Sequence, residues 1–316
     1  MSATVVTPAG DVRRSLAGNA RRRRKERAIH GVLVGAAGLS ILVSVGIVLA
    51  LAFRAVNFVT DVEFGALFAG VWRPRLGRFD LIALFLGSAI VTGIAMLVAT
   101  PLGLGSAIYL SEYTRPRARR ALKPILETLA GIPSVVIGFF ALSVINPTIA
   151  QGIFGATSPF TMLAAGIGVG ILTIPLIASV AEDAMHAVPG ALREAAYGIG
   201  ATRRTVTIRV VFPAAISGIV AALILGISRA LGETMVVAIA AGATGNAPRT
   251  VDPLDAGQTF TAAIASLAIG SDQVRTAGSD LNAFEVLYLL GAILFVFTLL
   301  LNVMSERFVR RVRKDY

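Results

Sequence analysis

The sequence predicts an all-α membrane protein with six transmembrane helices, and three observations lead there. Hydrophobic residues make up 55% of the 316 residues and charged residues 15%, with a mean hydropathy of +0.78, too apolar for a soluble domain of this length. Polar segments separate six apolar runs, each long enough to cross a hydrocarbon core of about 30 Å. Lys and Arg gather beside alternate ends of those runs: 22 of the 29 fall on one side, six on the other, and Arg229 lies within a run. This is the positive-inside distribution, and it places both termini in the cytoplasm.

Residues 1–29 form a basic tail with eight Lys or Arg, which anchors topology and is able to attract anionic lipid headgroups. The run His30 to Phe53 is the first membrane helix. Its Ala50-Leu51-Ala52 has the small-x-small form of a cleavage site, but roughly 22 apolar residues exceed the ~7 to 15 of a cleaved signal core. Residues 54–80 form an extracytoplasmic loop whose Arg54, Arg73, Arg75 and Arg78 are solvated charges. Five more spans are expected at Leu81 to Leu110, Leu122 to Ile145, Phe160 to Ala181, Ala214 to Ala241, and Ala283 to Phe308. The polar stretch 182–213 is a cytoplasmic loop lying in water, and 309–316 is a short cytoplasmic tail.

The charge of +11 does not indicate nucleic acid, because the basic residues flank apolar runs and are not interleaved with surface aromatics. The absence of cysteine excludes disulfides, thiolate metal sites and cysteine nucleophiles. His30 and His186 are isolated, so they read as interfacial polar residues, not ligands. No metal or other cofactor is expected. No GxxxxGK[ST] sequence occurs, so any ATP used must be bound by another chain.

Pro101, Pro133, Pro175, Gly131, Gly138 and Gly166 to Gly170 interrupt the spans. Such breaks persist in a bilayer where protein or a water-lined cavity satisfies the freed backbone groups, so spans two to five are expected to surround a pathway. Gly166-x-Gly168-x-Gly170 lies mid-span without a preceding strand, which argues for close helix packing and against a phosphate loop.

Arg229 and Glu233 stand four residues apart in the fifth span, on one face of a helix. An ionised arginine at mid-bilayer costs from about 2.5 to well above 10 kcal/mol by different methods, so it needs a reason. One is an intrahelical ion pair with Glu233. The other is a guanidinium fork offered to a tetrahedral oxyanion, with Glu233 as the hydrogen-bond acceptor where that anion carries a proton. Glu127, near the cytoplasmic end of the third span, either caps or pairs within the bundle or lines the pathway. Glu285 opens the last span at the interface. These carboxylates sit in different spans and form no catalytic pair, which disfavours an intramembrane enzyme.

The loop VPGALREAAYGIGATRRTVTIRVVFP from Val188 to Pro213 resembles the cytoplasmic loop of bacterial ABC-importer permeases: Glu-Ala-Ala, three residues, Gly, nine residues, Ile, one residue, Leu-Pro. Glu194, Ala195, Ala196, Gly200 and Pro213 fit; Val210 and Phe212 stand for Ile and Leu, a change of apolar shape only. Within that superfamily, SRALGETMVVAIAAG from Ser228 and AGIPSVVIGFFAL from Ala130 resemble the phosphate-specific importer, and Thr234-Met235-Val236-Val237 its PstC-type subunit more than its PstA-type partner. The resemblance runs from about Leu81 onward.

It implies the ABC type I importer permease fold, with 81–308 as permease core and 182–213 as coupling loop, in a bacterial inner membrane. It further implies Glu194, Ala195, Ala196, Gly200 and Pro213 at an ATPase contact and phosphate passing Arg229 and Glu233. The implied partners are a PstA-type permease, two ATPase subunits, an extracytoplasmic phosphate-binding protein and membrane lipid. The chain itself is then a transport subunit and no enzyme. Alternatives are a sulfate or molybdate permease, the PstA-type subunit, and, more distantly, a membrane scaffold that transports nothing.

Overall fold

A computed structural model describes residues 20–62, 64–242, 247–269 and 285–312 of the chain. Most of residues 1–29 and the last four, together with Arg275 and the expected start of the final span at Ala283, lie outside the described residues. Residues 1–53 and 54–316 are two compact units. Helix α1, Ala20–Asp61, begins in the first unit. From Gly31 to Phe53 it is apolar on most sides, with Leu33, Ile41 and Leu49 each more than 60% exposed, as suits a helix whose neighbour is lipid.

The second unit is built on α2, Leu81–Tyr113, and α5, Met162–His186, which pack along their lengths. Their contact depends on small residues. A Cβ on Gly166 would come within 2.6 Å of the Ile94 Cβ, and one on Gly170 within 3.0 Å of the Ala95 carbonyl oxygen. Gly168 faces the other way, toward Ala141 and Val236. The glycine triplet is thus a packing device on two faces of α5, as the sequence suggests.

Three apolar clusters succeed one another along α2. Leu84 joins Phe58, Trp72, Phe79, Phe260 and Leu290; Val91 and Ala95 join Ala141, Ala165, Val169, Val236 and Ala240; Ala107 joins Ala181, Met185, Val206, Val211 and Ile219.

Among the described residues, five helices are long and apolar enough to cross a membrane, six when the bent pair Arg203–Ala214 (α7) and Ile216–Gly232 (α8) is one passage. The expected third span is displaced. Pro116–Leu129 is a separate amphipathic helix, α3, with no buried residue, and the apolar passage is α4, Ser134–Gln151. Pro133 lacks an N–H to continue α3 and leads α4, while Gly131 accommodates the turn between them. The fifth span is interrupted as well. Helix α8 stops at Gly232, and a short helix α9 (Met235–Val237, continued by a wide turn over Ala238–Gly242) follows.

The loops hold structure that apolar periodicity does not signal. Three short strands, β1 Phe68–Arg73, β2 Arg78–Asp80 and β3 Ala247–Pro248, form an antiparallel sheet in the order β2-β1-β3. It is fixed by the buried rings of Phe58, Trp72 and Phe79, the Phe79 centroid lying 5.5 Å from that of Phe58 and 5.9 Å from that of Trp72. Asp80, wholly buried, caps α2 through the Ile82 N–H at 3.2 Å and accepts two N–H bonds from Arg249 at 2.8 and 3.0 Å. A short helix α10, Phe260–Ile269, then packs beneath the sheet, and α11, Val286–Val312, closes the chain.

Candidate functional site

The break between α8 and α9 sets the geometry of the two intramembrane charges. Gly232 is a weak helix former and Glu233 takes extended backbone (φ −71°, ψ 126°), so the chain leaves α8 between Arg229 and Glu233. The two therefore do not share a face of one continuous helix, as their spacing suggests. Among the described residues they also form no ion pair.

Each has another electrostatic reason to be where it is. Arg229 lies in the last turn of α8, at the negative end of its dipole, with its side chain exposed. Glu233 is half-buried, and its Oε1 accepts the Val236 N–H at 3.4 Å, capping the first turn of α9. Its backbone carbonyl accepts the Thr261 hydroxyl of α10 at 2.8 Å, which satisfies a group that the break sets free. The break seats against α4 because Gly138 has no side chain: a Cβ there would meet the Val236 Cα at 3.1 Å. Arg229 is left with its donor fork uncommitted to Glu233, whose carboxylate retains acceptor capacity.

Glu127 is not part of this group. It is exposed on α3, outside the apolar passage α4, and lines an open cavity of about 540 Å³ with Arg119, Arg120, Lys123 and His186. Glu285 is half-buried just ahead of α11.

The Glu-Ala-Ala segment forms its own helix, α6, Gly190–Gly198. Glu194 and Ala195 are exposed and Ala196 is half-buried. Gly200, at φ +81°, ends the helix: its N–H reaches the Tyr197 carbonyl at 2.9 Å and the Ala201 N–H the Ala196 carbonyl at 3.1 Å, the paired bonds of a Schellman motif. The helix end carries Tyr197 and Ile199, 44% and 87% exposed, an apolar tip on a polar element.

Beyond it, Thr202 caps α7, which runs to an exposed Pro213 and bends by 72° into α8. The stretch 182–213 is thus not wholly in water. Val206 and Val211 are buried in the cluster around Met185, with Val210 and Phe212 half-buried against it.

The same end holds buried charges that sequence reasoning did not single out. Glu182, with no exposed surface, accepts from Arg119 and from Lys123 at 2.8 Å; Lys123 also donates to Asp183, and Arg119 lies 3.2 Å from the His186 Nε2. Burial lowers the Lys123 pKa, but its hydrogen bonds to Asp183 and Glu182 outweigh that, and the ammonium is held above its ordinary 10.5. Arg193 of α6 reaches Glu112 at 3.0 Å. Only the i, i+4 spacing of Arg119 and Lys123 and the adjacent Glu182 and Asp183 hint at this cluster; who pairs with whom is a property of the fold.

Several spans, a broken fifth passage carrying two charges, and a surface helix ending in an exposed apolar tip define a multi-pass membrane permease. The chain belongs to the family of binding-protein-dependent transport system inner membrane components, which it matches over residues 99–314. It is 34% identical over 320 residues to the phosphate transport system permease protein PstC of Mesorhizobium japonicum, covering 95% of each chain. It is 33% identical over 302 residues to the probable ABC transporter permease protein YqgH of Bacillus subtilis, covering 92% of this chain and 94% of that one.

In fold it is similar to a chain of the bacterial alginate ABC transporter solved in complex with its pentasaccharide-bound periplasmic protein: TM-score 0.61 at 15% identity, over 93% of this chain and 98% of that one. It is also similar to the inward-facing MetNI methionine ABC transporter: TM-score 0.52 at 16% identity, over 73% and 94%. The ABC type I importer permease fold is that of this chain.

Proposed function

We propose that this chain is the PstC-type permease subunit of an ATP-driven importer that carries inorganic phosphate into the cytoplasm. The observation that carries the reading is end-to-end similarity to proteins named as phosphate permeases, 34% identity over 95% of both chains, together with the uncommitted guanidinium of Arg229 at the helix break. The names of these relatives favour the PstC-type over the PstA-type subunit.

The chemistry fits the substrate. Phosphate presents several acceptor oxygens, which suit a planar two-donor fork, and at neutral pH it carries a proton, so its O–H donates a hydrogen bond to an ionised carboxylate. Sulfate and molybdate carry no such proton, so Glu233 beside Arg229 favours phosphate over them. Glu127, on its separate cavity, is assigned to the cytoplasmic mouth of the pathway.

The partners are a PstA-type permease against the exposed flank of α8, two ATPase subunits, an extracytoplasmic phosphate-binding protein and surrounding lipid. The ATPases receive α6, with Glu194, Ala195 and Gly200 on the contact, the half-buried Ala196 partly behind it against the membrane helices, and Pro213 at the corner into α8. ATP-driven closure then moves α6, and the bundle alternates between outward-open and inward-open states. Both termini and α6 lie on the cytoplasmic side.

The reading is tested with the purified complete complex in proteoliposomes. ATP-dependent accumulation of labelled phosphate, undiminished by excess sulfate or molybdate, is the expected result. ATP-dependent sulfate or molybdate uptake without phosphate uptake assigns another oxyanion instead, and no uptake of any of them by an assembled, hydrolysing complex contradicts transport of this class.

A further inference from the structure

Helix α6 contributes no buried residue to the protein, and its apolar hold on the membrane helices is limited to half-buried Leu192 and Ala196. A helix so loosely seated transmits little when pushed. Yet one side chain crosses from it into the bundle. Arg193, with its side chain 20% exposed, donates from Nη2 to the Glu112 Oε1 at 3.0 Å and to the Met185 carbonyl at 2.7 Å, and from Nη1 to the Val188 carbonyl at 2.6 Å.

These acceptors belong to two different elements. Glu112, 4% exposed, sits in the terminal wide turn of α2, where the Ser111 hydroxyl also donates to its Oε1 at 3.0 Å. Met185 is in the last turn of α5 and Val188 just beyond it, so their carbonyls belong to the electronegative end of that helix. One guanidinium therefore ties the exposed helix to the two helices that form the spine of the unit. Three acceptors from two directions suit a planar fork with five N–H donors, whereas an ammonium offers three donors about a point.

We propose that Arg193 is the positioning residue that couples α6 to the membrane helices, with Glu112 as its ionic socket, so that displacement of a docked α6 is passed to α2 and α5 through this guanidinium. The proposal rests on the reading of α6 as the ATPase contact, and the two fail in different ways. Glu194, Ala195 and Gly200 face outward and serve docking; Arg193 faces inward and serves transmission. A residue of the second kind is dispensable for holding the ATPase and required for making its hydrolysis productive.

The experiment compares Arg193→Gln, Arg193→Lys, Glu112→Gln and the exchanged pair Arg193→Glu with Glu112→Arg in the complete reconstituted complex, with Gly200→Trp as the docking control. Three quantities are read: ATPase retained through purification, ATP hydrolysed, and phosphate transported per ATP. Arg193→Gln and Glu112→Gln are expected to retain the ATPase and its hydrolysis while phosphate per ATP falls about tenfold, an effect of the size of ordinary coupling energies. Arg193→Lys is expected to recover little, and the exchanged pair to recover part of the ratio.

An unchanged ratio in Glu112→Gln, which keeps the shape of the socket even where Arg193 variants fail to assemble, overturns the proposal. So does loss of the ATPase from Arg193→Gln, which makes Arg193 a docking residue. Normal ATPase retention by Gly200→Trp sinks the docking reading of α6 itself, whatever Arg193 does.

Discussion

Glu182 has no exposed surface, while its two cations, Arg119 and Lys123, are 25% and 26% exposed. Removing the carboxylate leaves two cations that still reach water, so the loss is expected to fall below the roughly 3 to 5 kcal/mol of a fully buried pair, at about 1 to 3 kcal/mol. Glu182→Leu should lower the thermal midpoint of the purified protein accordingly. Asp183→Asn, at a side chain 61% exposed, should cost less than about 1 kcal/mol.

The linkage of Lys123 gives this cluster its pH sign. A lysine held above its ordinary pKa adds stability that is fully present below that value and lost as pH rises through the folded one, so the Lys123 contribution is expected to hold below about 10.5 and to weaken above it. Midpoints of wild type and Lys123→Met on either side of that pH check it. At this scale the sequence displays Arg229 and Glu233, because a charge inside an apolar run is conspicuous. It conceals the pairing of Glu182 with Arg119, because those residues stand 63 positions apart in ordinary-looking boundary segments.

Helix α8 ends where residue spacing alone continues it. The run resumes its apolar character beyond Glu233 and Thr234, and a single weak helix former at Gly232 does not by itself stop it; tertiary contacts complete the break, Thr261 supplying the donor for the freed carbonyl and Gly138 the room for Val236. Neither is visible in a window of sequence. The third passage was misplaced for a related reason. Leu122, Ile125, Leu126 and Leu129 extend the apolar run backwards, although Arg119, Lys123 and Glu127 put a polar face on the same helix.

Helix α10 is only 10 residues long and the strands shorter still, below any length at which periodicity speaks. The glycine triplet, in contrast, was legible, since small residues at i and i+4 imply close helices. Gly166→Leu should overpack α2 against α5 by more than the roughly 1 to 3 kcal/mol of ordinary overpacking, because Ile94 stands 2.6 Å from the added Cβ. Gly105→Leu on α2 meets nothing within 4 Å and should be tolerated; monodisperse yield on size exclusion separates the two.

For the whole molecule, the positive-inside count and the proposed ATPase contact of α6 predict one orientation, which gives opposite exposure to two accessible residues. Ile199, 87% exposed at the tip of α6, is expected to face the cytoplasm, and Val251, 73% exposed beyond the sheet, the outside. The chain has no cysteine, so Ile199→Cys and Val251→Cys report without background. An impermeant thiol reagent added to intact cells should label Val251→Cys alone; labelling of Ile199→Cys alone reverses the topology.

The proposed function assigns phosphate passage to two charges at one interruption. Because Arg229 is exposed and not paired with Glu233, neutralising both should leave folding and assembly intact, in contrast to the behaviour of a structural ion pair. The most direct measurement is ATP-driven phosphate uptake by the reconstituted complex carrying Arg229→Gln with Glu233→Gln, with ATPase retention followed in the same preparation. Retained ATPase with phosphate uptake abolished is the expected result. Near-normal uptake by that double variant contradicts the assignment of this pair to the phosphate pathway.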